Sequence, residues 1–373
     1  MPDAMLSPKA AMPPPKTQPA MVLLRSSMNI SPENWSGFQT GGPDESFAPL
    51  IRLRGACKCR NPVLPDIVTS PTQQTHMDSY PARALAKVND MVAAAATAPS
   101  RAVAFQGAPG ANSHLASLEF DADCLPLPCF SFEDAIDAVK EGTAARAIIP
   151  IENSLHGRVA DIHFLLPESG LSIIAEHFMI IRHCLMAKSA DAKLTTAMSH
   201  PQALGQCRHY LREHNIIPVA YADTAAAAAF VADNDDPTAG AIAPPIAAEL
   251  YGLVAVNDAV QDDESNTTRF VILSRDPVSP GPADGVLMTT FIFEVKNIPA
   301  ALYKAMGGFA TNGVNMTKLE SYQNGGRFAA TEFFVDIEGA PGDVAVDRAL
   351  DELRFHCNSV RLLGTYRQTR KRG

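Results

Sequence analysis

The stretch VQDDESNTTRFVIL, residues 260–273, passes from an acidic, polar run straight into a hydrophobic one. At the seam stand two hydroxyls, Thr267 and Thr268, and a guanidinium, Arg269. Such a seam is either a turn at a sheet edge or the wall of a site for a small anion. A guanidinium grips a carboxylate through two parallel hydrogen bonds, which makes Arg269 a candidate anchor. The alternative is an ion pair with Asp262, Asp263 or Glu264. Side chains of adjacent strand residues face opposite ways, so only one of Thr267 and Thr268 is expected to meet a ligand.

Other positions offer matching chemistry. Glu152, Asn153 and Ser154 follow the apolar run AIIPI. Asn and Ser there can bond a carboxylate or hydroxyl, and a desolvated Glu could hold a proton near neutrality and act as general acid. The alternative is a cap for the next segment. Ser199 ends a second strand, and Gln206 lies two turns into the helix that follows, within reach on one helix face. His200, just before Pro201, is either a ligand contact or a turn residue. Asp223, Thr224 and Ala225 open a further helix; Asp223 suits an N-cap, and free amides at a helix start welcome an anion.

The elements that must position these groups are legible as alternating strands and helices. AVAFQG is a strand ending at Gly107, SHLASLEF a helix, PLPCF a strand, FEDAIDAVKEG a Ser131-capped helix and AARAIIPIEN a buried strand. The alternation recurs from 178 to 255, and TRFVILSR closes it. This order predicts an α/β sheet with connections on both faces. The Pro/Gly-rich linker SRDPVSPGPADGV (274–286) follows, then a β-α-β-β-α-β unit, the ferredoxin-like order. RQTRKRG at the end is expected to be a solvated tail. Residues 1–100 hold about half of the 29 prolines and predict a mostly disordered extension, with one helix near 81–97 and order from Arg101.

Composition narrows the function classes. The net charge of −9 leaves no dominant basic field for nucleic acid. No uncharged apolar run approaches the ~18–20 residues needed to cross a membrane. The seven cysteines include only one close pair, Cys57 and Cys59, with no second pair to complete a zinc site; free thiols in a reducing cytoplasm are expected. No phosphate-binding loop, dinucleotide fingerprint or metal cluster stands out, so neither cofactor nor metal is expected.

Five segments, VAFQGAPGANSHLA (103–116), IPIENSLHGRV (149–159), SHPQALGQC (199–207), GAIAPPIAAELYGL (240–253) and NTTRFVIL (266–273), together resemble prephenate dehydratase. The unit at 287–366 is similar to an ACT domain, a regulatory module that commonly follows that enzyme. The resemblance implies a catalytic domain at 101–277 of two lobes, of the type-2 periplasmic-binding-protein kind. Lobe one would be 101–178 plus 256–276, and lobe two 179–255. It implies conversion of prephenate to phenylpyruvate in phenylalanine biosynthesis, in the cytoplasm, with arogenate dehydratase or a non-catalytic amino-acid sensor as alternatives. The catalytic candidates become Thr268, Arg269, Glu152, Asn153, Ser154, Ser199 and Gln206, with Thr267, Phe270, Asp223, Thr224, Ala225 and His200 as substrate contacts. The family's essential threonine matches Thr268, expected as a hydrogen-bond donor to the departing oxygen.

In the ACT-like unit, relatives bind phenylalanine across a dimer interface. The matching positions are Asn297, Pro299, Ala300, Ala301, Leu302, Asn315, Glu320 and Ser321. Its strand ends ESYQ where many relatives have Glu-Ser-Arg-Pro, so feedback inhibition loses an arginine and a rigid proline. Pairing of these units implies a homodimer or homotetramer.

Overall fold

A helix that the sequence leaves outside the folded part is the first element seen. The computed structural model describes residues 80–159, 162–323 and 330–372, so the expectation of disorder over 1–79 lies outside the described residues. Helix α1, Ala82–Thr97, has neither Gly nor Pro inside it and follows Pro81. It buries Ala84, Val88 and Ala95. Ala84 joins the apolar cluster of the second lobe and Ala95 that of the first. Arg83 holds Asp233 through its guanidinium at 3.1 Å and donates to the Tyr251 carbonyl at 2.8 Å. Order therefore starts well before Arg101, because a small-residue helix finds its partners only in the folded lobes. Deleting 1–98 is expected to lower the melting temperature by about 5–10 °C relative to deleting 1–79, since about 2–4 kcal/mol of apolar burial is lost. Calorimetry on the two truncations decides it; equal melting temperatures would make α1 dispensable.

The first lobe is built from β1 (Ala102–Gln106), α2 (Asn112–Phe120), β2 (Leu125–Cys129), α3 (Phe132–Glu141), β3 (Arg146–Asn153), β4 (Gly157–Arg158), α4 (Ile162–Glu168) and β5 (Ser172–Ile180). Ser131 caps α3 in a reciprocal box with Asp134. The second lobe holds β6 (Cys184–Ala187), β7 (Thr196–Ser199), α5 (Pro201–Gln206), α6 (Arg208–Glu213), β8 (Ile217–Ala220), α7 (Thr224–Asp233), β9 (Ala239–Ala243), α8 (Pro245–Tyr251) and β10 (Val254–Asn257). The chain then returns to the first lobe with β11 (Thr267–Ser274). The sheets run β2-β1-β3-β11-β5 and β10-β6-β9-β7-β8. The crossings are 181–183 and 258–266. The expected boundaries shift by two residues at each: β5 keeps 179–180 in lobe one, and β10 keeps 256–257 in lobe two.

The C-terminal unit is β12 (Leu287–Val295), α9 (Ala301–Thr311), β13 (Met316–Gln323), β14 (Ala330–Glu338), α10 (Val344–His356) and β15 (Cys357–Arg367). Its sheet order, β13-β14-β12-β15, is the ferredoxin-like one. The two faces of β12 follow from alternation: Phe291, Phe293 and Val295 pack with Phe309 and Leu350, whereas Met288 and Ile292 join the core of lobe one. That core also takes in Phe334, Leu363 and Tyr366 against Ile173, Val271 and Leu273. Close approach of β15 to β5 requires Gly364, where a Cβ would lie 2.1 Å from the Ile173 carbonyl oxygen.

Candidate active site

Strand β11 lies between β3 and β5, and its two faces serve different partners. Thr268 pairs with Asn153 and Arg269 with Glu152. The register then shifts, so that Phe270 faces Pro150 and Ile151 is the extra residue of a bulge. The bulge re-aims the end of β3 and puts Glu152 on the same side as Arg269. Two cross-strand pairs result, one on each face of the sheet.

The Thr268–Asn153 pair belongs to a polar network. Asn153 Oδ1 accepts from the backbone N–H groups of Leu155 (3.0 Å) and His156 (3.1 Å). That fixes the amide's orientation, and its Nδ2 donates to Thr268 Oγ1 at 3.0 Å and Asn266 Oδ1 at 2.7 Å. Gln206 Nε2 donates to His156 Nδ1 at 3.0 Å, and its Oε1 lies 2.6 Å from His183 Nε2. Lobe one thus supplies Asn153, His156 and Thr268, lobe two supplies Gln206, and the crossings supply His183 and Asn266. Burial pushes the His183 pKa down, outweighing the opposing bond to Gln206, so the imidazole is neutral. Thr268 accepts from Asn153 and keeps its own proton to donate. Accepting one hydrogen bond polarises a hydroxyl and strengthens the bond it donates.

Several expected contacts are placed differently. Arg269 is 1% exposed and faces the C-terminal sheet. Its guanidinium meets Glu176 at 2.9 Å, Glu152 at 3.0 Å, Asp336 at 2.6 Å and the Tyr366 hydroxyl at 2.8 Å. Four of the five N–H groups are thus engaged within the protein, and Asp262, Asp263 and Glu264 are not its partners. Glu152 is paired with Arg269 at 3.0 Å and with Lys318. Burial alone would raise its pKa, but Lys318 and Arg269 outweigh burial and bring it below the ordinary value. The terminal segment is not simply solvated: Arg372 pairs with Glu176 and lies 3.6 Å from Asp336, while the Thr369 N–H donates to Glu176 at 3.0 Å.

The remaining candidates divide the same way. Ser199 is fully buried and donates to the Ile242 carbonyl at 2.5 Å, tying β7 to β9. Phe270 sits in the core with Phe105, Ile148 and Met179. Ser154 accepts from the Thr267 N–H at 2.9 Å, and the Thr267 hydroxyl turns back to the Ser265 carbonyl at 2.9 Å, so both pin the end of the strand. His200 accepts from the Gln202 N–H as a turn residue. Asp223 caps α7, accepting from Ala226 at 2.8 Å; burial raises its carboxyl against bonds from the Ala226, Ala225 and Ala108 amides. Ala225 is buried, and Thr224 is the first residue of α7. His114, stacked on Phe105, accepts from the Gly110 N–H, and burial lowers its pKa to about 4.

In the C-terminal unit, Asn297, Pro299 and Ala300 form the exposed turn before α9, Ala300 in the left-handed region. Ala301 and Leu302 open that helix. Asn315 is engaged with Glu338 at 2.9 Å, Glu320 pairs with Lys318 at 3.1 Å, and the Ser321 carbonyl accepts from Arg158. His156, His183 and Asn266 were missed from sequence. Asn266 at least stood next to the hydroxyl pair.

Two α/β lobes joined by two crossings, with a polar hydrogen-bond network where they meet, define a periplasmic-binding-protein-like fold. The profile of the family Prephenate dehydratase matches residues 103–278. A bifunctional N-acyl-homoserine lactone acylase/prephenate dehydratase of Komagataeibacter europaeus is 46% identical, over 71% of this chain and 95% of that protein. An arogenate dehydratase/prephenate dehydratase of Arabidopsis thaliana is 37% identical, over 71% and 68%. The solved prephenate dehydratase of Arthrobacter aurescens, in complex with L-Phe, superposes with a TM-score of 0.66 at 30% identity, covering 73% of this chain and 92% of that one. The chain belongs to the prephenate dehydratase family.

Proposed function

We infer that this chain converts prephenate to phenylpyruvate, a step of phenylalanine biosynthesis. The carrying observation is the Thr268 hydroxyl, polarised by Asn153 at the meeting of the lobes inside the family's matched region. In the reaction the bond to the ring carboxylate breaks and releases carbon dioxide. Its electron pair moves into the ring, and the ring hydroxyl departs, with one proton, as water. Aromatisation drives the step, so the protein has to hold, orient and donate. Thr268 donates to the departing oxygen. The Asn153, Asn266 and Gln206 amides beside Thr268 carry no charge that would retain the ring carboxylate.

The C-terminal unit acts as an ACT domain. It binds phenylalanine at the turn 297–302 and the strand end 320–321, paired in a homodimer or homotetramer. Its ferredoxin-like order supports this, as does the L-Phe complex of the Arthrobacter protein. The enzyme works in the cytoplasm. Arogenate is the second reading of the substrate, favoured by the name of the Arabidopsis relative.

A spectroscopic assay of phenylpyruvate with and without L-phenylalanine tests this. Phenylpyruvate should form from prephenate, and less of it with phenylalanine present. Parallel rates on arogenate rank the substrates. An N-acyl-homoserine lactone as third substrate reads whether the other activity in the Komagataeibacter relative's name extends here. Tight phenylalanine binding with no turnover of prephenate or arogenate would make the protein a sensor.

A further inference from the structure

We infer that Asn266 anchors the substrate, its side-chain amide donating to the carboxylate that stays on the product; this rests on the prephenate reading above. Among the described residues, two buried side-chain polar atoms have no hydrogen-bond partner, His183 Nδ1 and Asn266 Nδ2. Both stand on the segments where the chain crosses between lobes. Buried donors are rarely left unpaired, and one that is calls for a specific explanation.

The orientation of Asn266 is fixed by its neighbours. Two backbone N–H groups hold Asn153 Oδ1, so Asn153 Nδ2 must face Asn266, and Asn266 must answer with its oxygen. Both hydrogens of Asn266 Nδ2 are left over. Asn266 Oδ1 and Thr268 Oγ1 each lie one hydrogen bond from the same Asn153 nitrogen. The unsatisfied donor therefore belongs to the same cluster as the hydroxyl that serves the leaving oxygen.

His183 cannot share the role. Its Nε2–H donates to Gln206 Oε1, so the neutral ring leaves Nδ1 as an acceptor, which repels a carboxylate. Arg269, the obvious anchor by type, is 1% exposed on the face toward the C-terminal sheet and commits four of its five N–H groups to Glu176, Glu152, Asp336 and Tyr366. A substrate bearing two carboxylates still needs a donor. A neutral amide supplies one without the strong hold of a cation.

Asn266→Asp separates this role from mere support of Asn153. The Asp keeps an acceptor oxygen for Asn153 and removes the donor. The expected result is a fall in kcat/KM of about 10–100-fold, mostly through KM, with a matching loss of phenylpyruvate affinity by calorimetry. Kinetics and phenylpyruvate affinity within about twofold of wild type would overturn the inference. So would a loss confined to kcat, which marks a positioning residue. Should the Asp variant not fold, Asn266→Ala carries the same two readouts with the same outcomes. A wild-type chain inert on prephenate overturns the functional reading and this inference with it; an active wild type beside an unaffected Asn266→Asp overturns this inference alone.

Discussion

Thr268→Ala is expected to lower kcat by about 10²–10³-fold, the usual cost of removing one well-placed donor to a developing negative charge. The substitution deletes a hydroxyl and a methyl from a residue 8% exposed, and leaves the strand's backbone pairing to Asn153 and Met179 in place. Folding should therefore survive, with a stability loss of about 1–2 kcal/mol. KM should change little, because the hydroxyl matters most once the C–O bond is breaking. Single-turnover kinetics on prephenate, with a thermal melt as control, checks it. Turnover within about threefold of wild type in a folded variant would remove Thr268 from the chemistry. Thr268→Ser should keep a large part of the rate, since the donor returns on a more mobile side chain.

Much of the succession of strands was readable because apolar runs such as AIIPI and FVILS are long enough to name buried strands, and turn residues separate them, whereas β5 and β6 were not read. The alternation in LMTTFIFEV even carries the two faces of β12. Side-chain roles at the site were less legible. Strand alternation applied to Thr268 already implies that Arg269 points the other way, whatever the family motif suggests. At β3 the same rule fails, because the bulge at Ile151 is set by register against β11 and leaves no mark in the local sequence. Ser199 looked like a ligand contact because its type fits, but its hydroxyl is consumed by a neighbouring strand. The partners of Arg269 lie 67–117 positions away, at Glu176, Asp336, Glu152 and Tyr366. Only the packing of the C-terminal sheet on lobe one brings them together.

That packing makes Arg269→Met the most damaging substitution for stability, at about 3–5 kcal/mol. Glu176 and Asp336 have fully buried side chains, and Glu152 is partly covered. These three carboxylates face Arg269, Lys318 and Arg372, and Lys318 is shared with Glu320. Methionine fills much of the volume but leaves a buried negative charge in excess, and breaking such a cluster costs far more than an exposed pair does. Arg372→Met, at a more exposed position, should cost less, about 1–2 kcal/mol. Acid should mimic part of the effect. The Glu152 pKa is depressed in the folded state, so its contribution is complete above the unfolded carboxyl value and is lost as pH falls through the lower folded one. Arg269 and Glu152 are next in sequence to Thr268 and Asn153, so loosening this cluster is expected to loosen the Thr268–Asn153 pair as well. Urea denaturation together with steady-state kinetics separates the possibilities. A large drop in stability, with kcat reduced and KM nearly unchanged, is the expected result. A steep rise in KM with stability intact would return Arg269 to the role of substrate anchor, and with it require the lobe to open onto the face that the C-terminal sheet now covers.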